Sequence, residues 1–170
     1  MSLYIEWLNL IKMKADVNWL LKSQVPAYNS ILTQWLSSPF INFYGPPGSG
    51  KSFIARMLAS KKQFTYATNL ERVPEGSKNV LLDDANYSRY LRIIASERRL
   101  SRIILITQSP VKEAMPLCEL KLNEADVRQF EGILGKYCQI YFTHSIPEGN
   151  DLNQIIVKEL KNRGEAVYEH

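Results

Sequence analysis

The stretch INFYGPPGSGKS, residues 41–52, decides the fold class, because an apolar segment runs directly into a loop of three glycines and two prolines that ends in Lys51-Ser52. Residues 45–52 match the pattern GxxxxGK[ST] at every fixed position. A strand is predicted before this loop, at 40–44, and a helix after it, at 52–58, which is the context that the motif requires. Backbone N–H groups in such a loop point inward, and the helix adds positive potential. The stretch therefore predicts a loop that binds a nucleoside triphosphate.

Each position of this motif has an expected role. Lys51 is expected to reach the outer phosphates of ATP, and the hydroxyl of Ser52 is expected to complete the oxygen shell of a Mg²⁺ ion. The nucleotide is expected to contact the whole loop and the start of the helix. These residues are Gly45, Pro46, Pro47, Gly48, Ser49, Gly50, Lys51, Ser52 and Phe53.

A second nucleotide-binding feature lies in the segment from Asn79 to Asp84, where an apolar strand ends in two adjacent carboxylates. A phosphate-binding loop needs an acidic partner for its metal ion. Asp83 is expected to be that partner, acting on the metal together with Ser52. Asp84 is expected either to polarise the attacking water or to cap the helix that follows.

Strands are also predicted over 64–68 and 102–108, and the second of these is an apolar run that ends in Thr107 and Gln108. If this strand is the neighbour of the strand ending at Asp83, Gln108 lies where a side chain can sense the γ-phosphate. The alternative is that Gln108 is an ordinary loop residue. The stretch 109–123 is predicted to be a connecting loop, with nucleic-acid contact as the second interpretation.

Helices are predicted on the N-terminal side of the loop. Apolar residues recur at helical spacing over 3–21, which predicts one amphipathic helix or a pair of helices. A shorter helix is predicted over 28–36, after a break at 23–26. We therefore expect an N-terminal helical segment, 1–38, and a core, 39–170. The apolar side of the first helix is expected to serve self-association. Its residues are Leu3, Trp7, Leu10 and Ile11.

The C-terminal third is predicted to complete the sheet. Asn123 is a suitable N-cap for a helix, and strands are predicted over 139–143, 154–160 and 166–169. Together with the earlier segments, these strands predict an α/β fold. It would have a mostly parallel sheet, antiparallel strands at its C-terminal edge, and flanking helices.

Taken in order, these segments resemble the ATPase core of the RecA superfamily, and most closely its archaeal RadA, RadB and KaiC-like branch. The resemblance covers about residues 25–170. The segments that carry it are FYGPPGSGKS (43–52), FTYATNLE (64–71), VLLDDANYSRY (80–90), IILITQSP (103–110), QIYFTH (139–144) and QIIVKELKNRG (154–164).

The resemblance implies a P-loop NTPase fold, ATP and Mg²⁺ as ligands, and a slow ATPase acting as a small recombinase paralog in DNA recombination or repair. In that family a Thr-Glu pair after the next strand activates water; Thr68 and Glu71 lie near that place, with two residues between them. The family's glutamine matches Gln108, and its late K-x-R sequence resembles Lys161-Asn162-Arg163. The implied partners are a RecA-like or RadA-like protein, another copy of the chain, or DNA.

Two further functions are compatible with the same residues. One is a DNA motor of the AAA+, packaging or helicase type, which needs an arginine finger; Arg89, Arg92 and Arg163 are the candidates. The other is a nucleotide-dependent adaptor whose catalysis is vestigial. The short distance from Lys51 to Asp83 also occurs in such motors, and the displaced position of Glu71 keeps the adaptor open. The first DNA-facing loop of the recombinases is all but missing at 86–89.

Composition limits the remaining classes. The chain has 170 residues, 45% of them hydrophobic, as expected for a protein with a packed core. Its net charge of +4 is compatible with an anionic partner without requiring one. Charged residues interrupt every apolar stretch, so no membrane association is expected. The absence of a secretory or lipidation motif predicts a cytoplasmic protein.

Overall fold

Among the described elements, two α-helices precede the first strand, one follows it, and two come after the last strand, as is compatible with an α/β protein. The computed structural model describes residues 2–62, 64–83, 102–111, 117–143 and 150–167. The helices are α1 (Leu3–Lys14), α2 (Gln24–Gln34), α3 (Lys51–Lys62), α4 (Glu124–Ile133) and α5 (Leu152–Asn162), and the strands are β1 (Phe40–Tyr44), β2 (Thr65–Ala67), β3 (Asn79–Asp83), β4 (Arg102–Thr107) and β5 (Leu117–Glu119). Shorter elements are the 3-10 helices Val17–Trp19 and Leu70–Arg72 and the π-helical segment Leu134–Cys138.

The chain divides into two compact units. One unit combines Met1–Ser23 with Leu122–His170, and the other is the continuous stretch Gln24–Lys121. All five strands and the glycine-rich loop lie in the continuous unit. The division expected from the sequence, 1–38 and 39–170, has its boundary elsewhere and stays a prediction.

The described strands form one five-stranded sheet in the order β2-β3-β4-β1-β5, and every neighbouring pair is parallel. The predicted α/β class and the parallel arrangement are therefore confirmed. In the register, Tyr44 lies opposite Thr107, and Asp83 lies opposite Ile106. The carboxyl ends of β1, β4 and β3 thus meet at one edge, with β4 between the other two.

Apolar residues run almost without interruption through the central strands. The three middle residues of β1 and of β3 are buried, as are the four middle residues of β4. Consecutive burial is typical of parallel strands that are covered on both faces. Helix α3 packs on β2 and β3, while α2 packs on β1 and β5. Burial of each large apolar side chain contributes about 1.5–3 kcal/mol, so the sheet is a rigid support for the residues at its edge.

One boundary in the N-terminal part differs from the sequence-based expectation. The first helix ends at Lys14 and a separate 3-10 helix follows at Val17–Trp19, in agreement with the predicted pair of helices. The predicted break at 23–26 is wrong, because α2 begins at Gln24 and includes Pro26 in its first turn. Proline is tolerated there, since the N–H groups of the first turn have no partner within the helix.

Part of the apolar side of the first helix, which was expected to serve self-association, is buried within the chain itself. Trp7 is 8% exposed, and the guanidinium of Arg163 lies 5.2 Å from the centre of its ring. The hydroxyl of Tyr4 donates to Oδ1 of Asn153 at 2.9 Å. Helix α1 therefore packs on the C-terminal part of its own unit, and Trp7 is a core residue rather than part of an exposed interface.

The stretch 109–123, predicted to be a loop, contains a strand. Residues Leu117–Glu119 form β5, which pairs in parallel with β1 through Asn42, Phe43 and Tyr44. Three residues are too few for hydrophobic alternation to be visible in the sequence. As a result, β1 lies inside the sheet rather than at its edge.

The predicted antiparallel strands are wrong where the structure describes them. No strand is present at 139–143, and the segment 154–160 lies within helix α5. Its β-branched run suggested a strand, but Asp151 caps the helix by accepting from the N–H of Gln154 at 3.0 Å. Residues 166 and 167 are not in a strand, and the rest of the last predicted strand lies outside the described residues.

The helix predicted after Asn123 is confirmed. Oδ1 of Asn123 accepts from the N–H of Asp126 at 3.0 Å, while Oδ2 of Asp126 accepts from the N–H of Asn123 at 2.8 Å. This reciprocal capping box satisfies two backbone donors at the start of α4. The buried carboxylate of Asp126 also accepts from the N–H of Ser23 at 2.9 Å, which ties the N-terminal segment to α4 within their unit.

Candidate functional site

The glycine-rich loop, residues 45–50, connects β1 to α3 at the carboxyl edge of the sheet. Gly48 and Gly50 have φ angles of 73° and 91°, in the region that favours glycine. A Cβ atom on Gly45 would lie 2.5 Å from the carbonyl oxygen of Leu120. The three glycines of the motif are thus explained by the backbone itself, two by their conformation and one by close packing.

Two buried polar side chains fix the shape of this loop. The hydroxyl of Ser49 donates to the carbonyl oxygen of Pro46 at 2.8 Å. The side-chain amide of Gln24, at the start of α2, donates to the carbonyl oxygen of Ser49 at 2.9 Å. Because Gln24 and Ser49 are buried, these bonds form in a low-dielectric environment, where they hold the loop firmly.

The side chain of Lys51 folds back over the loop. Its ammonium group donates to the carbonyl oxygens of Gly45 at 2.6 Å and of Pro46 at 2.9 Å. This position sets a positive charge at the mouth of the loop, beside the N-terminus of α3. An anion at this place would receive both the ammonium charge and the backbone donors of the first helical turn.

The carboxylate of Asp83 joins three elements. Its Oδ2 atom accepts from the hydroxyl of Ser52 at 3.0 Å and from the hydroxyl of Tyr66 at 2.6 Å. Ser52 belongs to α3, Tyr66 to β2 and Asp83 to β3. The structure therefore brings together the two residues, Ser52 and Asp83, that the sequence assigned to a metal ion, and it adds a tyrosine.

Tyr66 remains a neutral donor in this cluster. Burial raises the pKa of Tyr66 above its usual value, and the hydrogen bond to Asp83 raises it further, while Ser52 and the nearby Arg56 offset part of the effect. The guanidinium of Arg56 lies 6.0 Å from the centre of the tyrosine ring. A protonated phenol beside a carboxylate donates its hydrogen bond throughout the physiological pH range.

Gln108 follows directly after β4, and its side chain is exposed. Because β4 lies between β1 and β3, Gln108 is located where the sequence expectation required it, between the glycine-rich loop and Asp83. The buried Asn42 of β1 holds the backbone around Gln108 in position. Its amide nitrogen donates to the carbonyl oxygen of Leu105 at 3.1 Å and to Oγ1 of Thr107 at 3.0 Å. Its Oδ1 accepts from the N–H of Val111 at 3.0 Å.

The two candidates for water activation are placed differently. Asp84 lies outside the described residues. Glu71 is exposed, in the 3-10 helix Leu70–Arg72 beyond the end of β2. Strand β2 is three positions from β1 in the sheet, a separation of roughly 14 Å at the usual strand spacing. The catalytic role of Glu71 stays a prediction.

The residues at this edge fit a magnesium ion by their chemistry. Ser52 and Asp83 supply hard oxygen atoms, which Mg²⁺ prefers, and Mg²⁺ needs few protein ligands because it keeps water and phosphate oxygens. Among the described residues, no group of three or more histidine, cysteine or acidic side chains is arranged to hold a metal ion. A metal here would therefore be held mainly by a phosphate ligand and by these two residues.

Arg163, one of the candidate arginine fingers, is engaged within its own unit. Its Nε donates to Oε1 of Glu159 at 3.2 Å, and Nη2 donates to the carbonyl oxygen of Tyr141. Glu159 is fully buried and also accepts from the N–H and hydroxyl of Thr143 at 2.8 and 3.0 Å. These contacts give Arg163 a structural role. Arg89 and Arg92 lie outside the described residues.

Three residues of the site were missed by sequence reasoning. Asn42 carried a sign that was available, since it is a polar residue in the middle of an apolar strand. Gln24 was assigned to a break between helices, and Tyr66 has no distinguishing pattern around it. Their roles follow from the strand order and from the start of α2, which local sequence does not determine.

No helix among the described residues combines the length and the apolar character needed to span a membrane.

No model of a known protein family matches the sequence, and no curated protein matches it. The function is therefore argued from the site itself.

Proposed function

We propose that this chain is a P-loop ATPase that binds ATP with Mg²⁺ at the glycine-rich loop, Lys51, Ser52 and Asp83. The observation that carries the proposal is the hydrogen bond of 3.0 Å between the hydroxyl of Ser52 and Oδ2 of Asp83. It joins the residue that ends the phosphate-binding motif to the acidic residue at the end of β3. A chance glycine turn would not need this partner.

The charges and donors at the edge of the sheet support the same proposal. Lys51 offers an ammonium group to the outer phosphates, and the backbone of the loop and of α3 offers N–H donors. Bound Mg²⁺ would supply charge neutralisation on the phosphate oxygens. Ser52 and Asp83 would orient that ion, and Gln108 would lie near the terminal phosphate. Water activation is assigned to Asp84 or Glu71 as a prediction from the sequence.

The direct test is ATP binding measured by calorimetry, with Mg²⁺ present. We expect that Lys51→Ala abolishes binding, because the loop then lacks its cation. Lys78→Ala is the matched control: Lys78 is exposed and precedes β3, at the opposite edge of the sheet from Asp83. Unchanged ATP binding by Lys51→Ala would reject the proposed site, as would equal losses in both variants.

The class of ATPase is a finer proposal. The recombinase-paralog function relied on a late strand at 154–160, but this segment belongs to helix α5. The segment after β5 is helical at α4, at Leu134–Cys138 and at α5. This observation favours the second candidate, a DNA motor of the AAA+, packaging or helicase type, or an adaptor with vestigial catalysis. The recombinase-paralog function, with a RecA-like partner, remains the alternative.

Turnover and assembly separate these classes. Steady-state ATP hydrolysis should be measured with and without single-stranded and double-stranded DNA, and the oligomeric state should be measured by light scattering. A motor is expected to form a ring and to hydrolyse ATP faster with DNA. A filament would instead favour the recombinase group, and a monomer that binds ATP with negligible turnover would favour the adaptor. A cytoplasmic location is part of the same proposal.

A further inference from the structure

We propose that Tyr66 is a positioning residue for the metal ion of this site, acting through Asp83. This inference depends on the proposed function and adds a residue that the phosphate-binding motif does not contain. Tyr66 lies on β2, the edge strand, next to β3, and in the register it lies opposite Leu81, two positions before Asp83. From there its hydroxyl reaches Oδ2 of Asp83 at 2.6 Å.

The geometry at Asp83 gives this tyrosine a function beyond packing. The two donors, Ser52 and Tyr66, both meet Oδ2, and they come from separate elements. Two donors on one oxygen atom fix the orientation of the carboxylate. Ser52 would also supply its oxygen to Mg²⁺ when the ion is bound. Tyr66 has no such second task, so it can hold Asp83 in place in both states of the site.

Groups that orient a metal-binding carboxylate affect metal affinity strongly, although they do not touch the ion. The neutral phenol suits this role because it donates without adding a charge that would repel Mg²⁺. The Tyr66 residue is half-buried, and this burial shields its hydrogen bond to Asp83 from competing water. The ring itself packs near Arg56, so removing the hydroxyl alone separates the hydrogen bond from the packing.

The test is the Mg²⁺ dependence of ATP binding by Tyr66→Phe, measured by calorimetry with a non-hydrolysable ATP analogue. We expect the Mg²⁺ concentration that gives half of the maximal increase in analogue affinity to rise about 10-fold in this variant. Binding of the same analogue in excess EDTA should stay unchanged, since the loop and Lys51 are intact. Thermal unfolding of the metal-free variant is measured alongside, to exclude a loss of fold.

Tyr44→Phe is the matched control. The hydroxyl of Tyr44 donates to Oε2 of Glu119 at 2.8 Å, so this change also removes one tyrosine–carboxylate bond at the same edge of the sheet. We expect its Mg²⁺ dependence to equal that of the wild type. In the background of Asp83→Asn, Tyr66→Phe should have no further effect on Mg²⁺ dependence, because the residue through which it acts has changed.

Several outcomes would overturn the inference. An unchanged Mg²⁺ dependence in Tyr66→Phe would do so while leaving the proposed function intact. An equal loss of binding in EDTA would assign Tyr66 to the shape of the nucleotide site rather than to the metal. A wild-type protein that binds no ATP analogue at any Mg²⁺ concentration would overturn both the inference and the proposed function.

Discussion

The N–H group of Val111 donates to Oδ1 of Asn42 at 3.0 Å, although 69 positions separate the two residues in the sequence. This bond ties the segment after β4 to the strand that leads into the glycine-rich loop. Asn42 is completely buried. A single polar side chain in the core thus fixes the backbone on both sides of Gln108.

We expect Asn42→Ala to lower the free energy of unfolding by about 1–3 kcal/mol, because the N–H of Val111 loses its acceptor inside the protein. Urea unfolding followed by circular dichroism measures this change. Asn18→Ala, at an exposed position, is the control and should stay within about 0.5 kcal/mol of the wild type. Equal stability of Asn42→Ala and the wild type would contradict this prediction, because it would mean that the groups bonded by Asn42 find other hydrogen-bond partners.

Gly45→Ala is expected to disrupt the loop, because the new Cβ atom would lie 2.5 Å from the backbone oxygen of Leu120. Backbone cannot move aside cheaply, so we expect both a lower melting temperature and weaker ATP binding. Gly132→Ala is the matched control. Nothing lies within 4 Å of a Cβ there, and alanine in helix α4 should raise stability by up to about 1 kcal/mol. A Gly45→Ala variant with native ATP affinity would contradict the tight packing.

Gln108→Ala tests the expected contact with the terminal phosphate. If its amide stabilises charge that develops during hydrolysis, we expect kcat to fall about 100-fold while ATP affinity changes little. Ser109→Ala, the neighbouring exposed position, should keep the wild-type kcat. Equal effects at both positions would assign Gln108 to the loop rather than to phosphate sensing.

The unit that combines Met1–Ser23 with Leu122–His170 should have a stability that depends on pH through Glu159. Burial raises the pKa of this carboxyl, but hydrogen bonds from Thr143 and Arg163 outweigh it and lower the pKa below its usual 4.5. The charged form therefore stabilises the folded state fully above about pH 4.5, and this contribution is lost as the pH falls through the lowered pKa.

Glu159→Gln is expected to lower stability by about 1–3 kcal/mol at pH 7. The difference in the free energy of unfolding between this variant and the wild type should become smaller as the pH is lowered from 6 toward 3. Urea unfolding at each pH measures this difference. Glu124→Gln is the control, because the ion pair of Glu124 with Arg128 is exposed, at 61% and 64% of the side-chain surface. Such a pair contributes little. A constant difference for Glu159→Gln across this range would contradict the pKa assignment.

The elements with local sequence patterns were predicted well. Strand β1, the loop and the start of α3 follow from an apolar run and the glycine spacing after it, and the N-cap at Asn123 follows from its residue type. The segment 154–160 was misread because β-branched residues are common in strands, whereas Asp151 and the burial of one face stabilise a helix. Local preference was overridden there by packing.

Tyr66 and Asn42 illustrate a different limit. Their partners, Asp83 and Val111, lie 17 and 69 positions away. Such contacts depend on which strands are neighbours, and strand order is a property of the whole sheet. The pairing of Ser52 with Asp83 was predicted only because the two motifs are chemically complementary.

The position of β1 inside the sheet has a consequence for synthesis. Asn42 pairs with Leu105, 63 positions later, and β1 also pairs with β5, which ends at Glu119. A chain that grows from its N-terminus therefore exposes both edges of β1 until those later strands emerge. Contacts between distant residues form slowly because long loops must close first. Until about residue 119 has been made, β1 is therefore an apolar strand without its partners, and such strands are prone to aggregation.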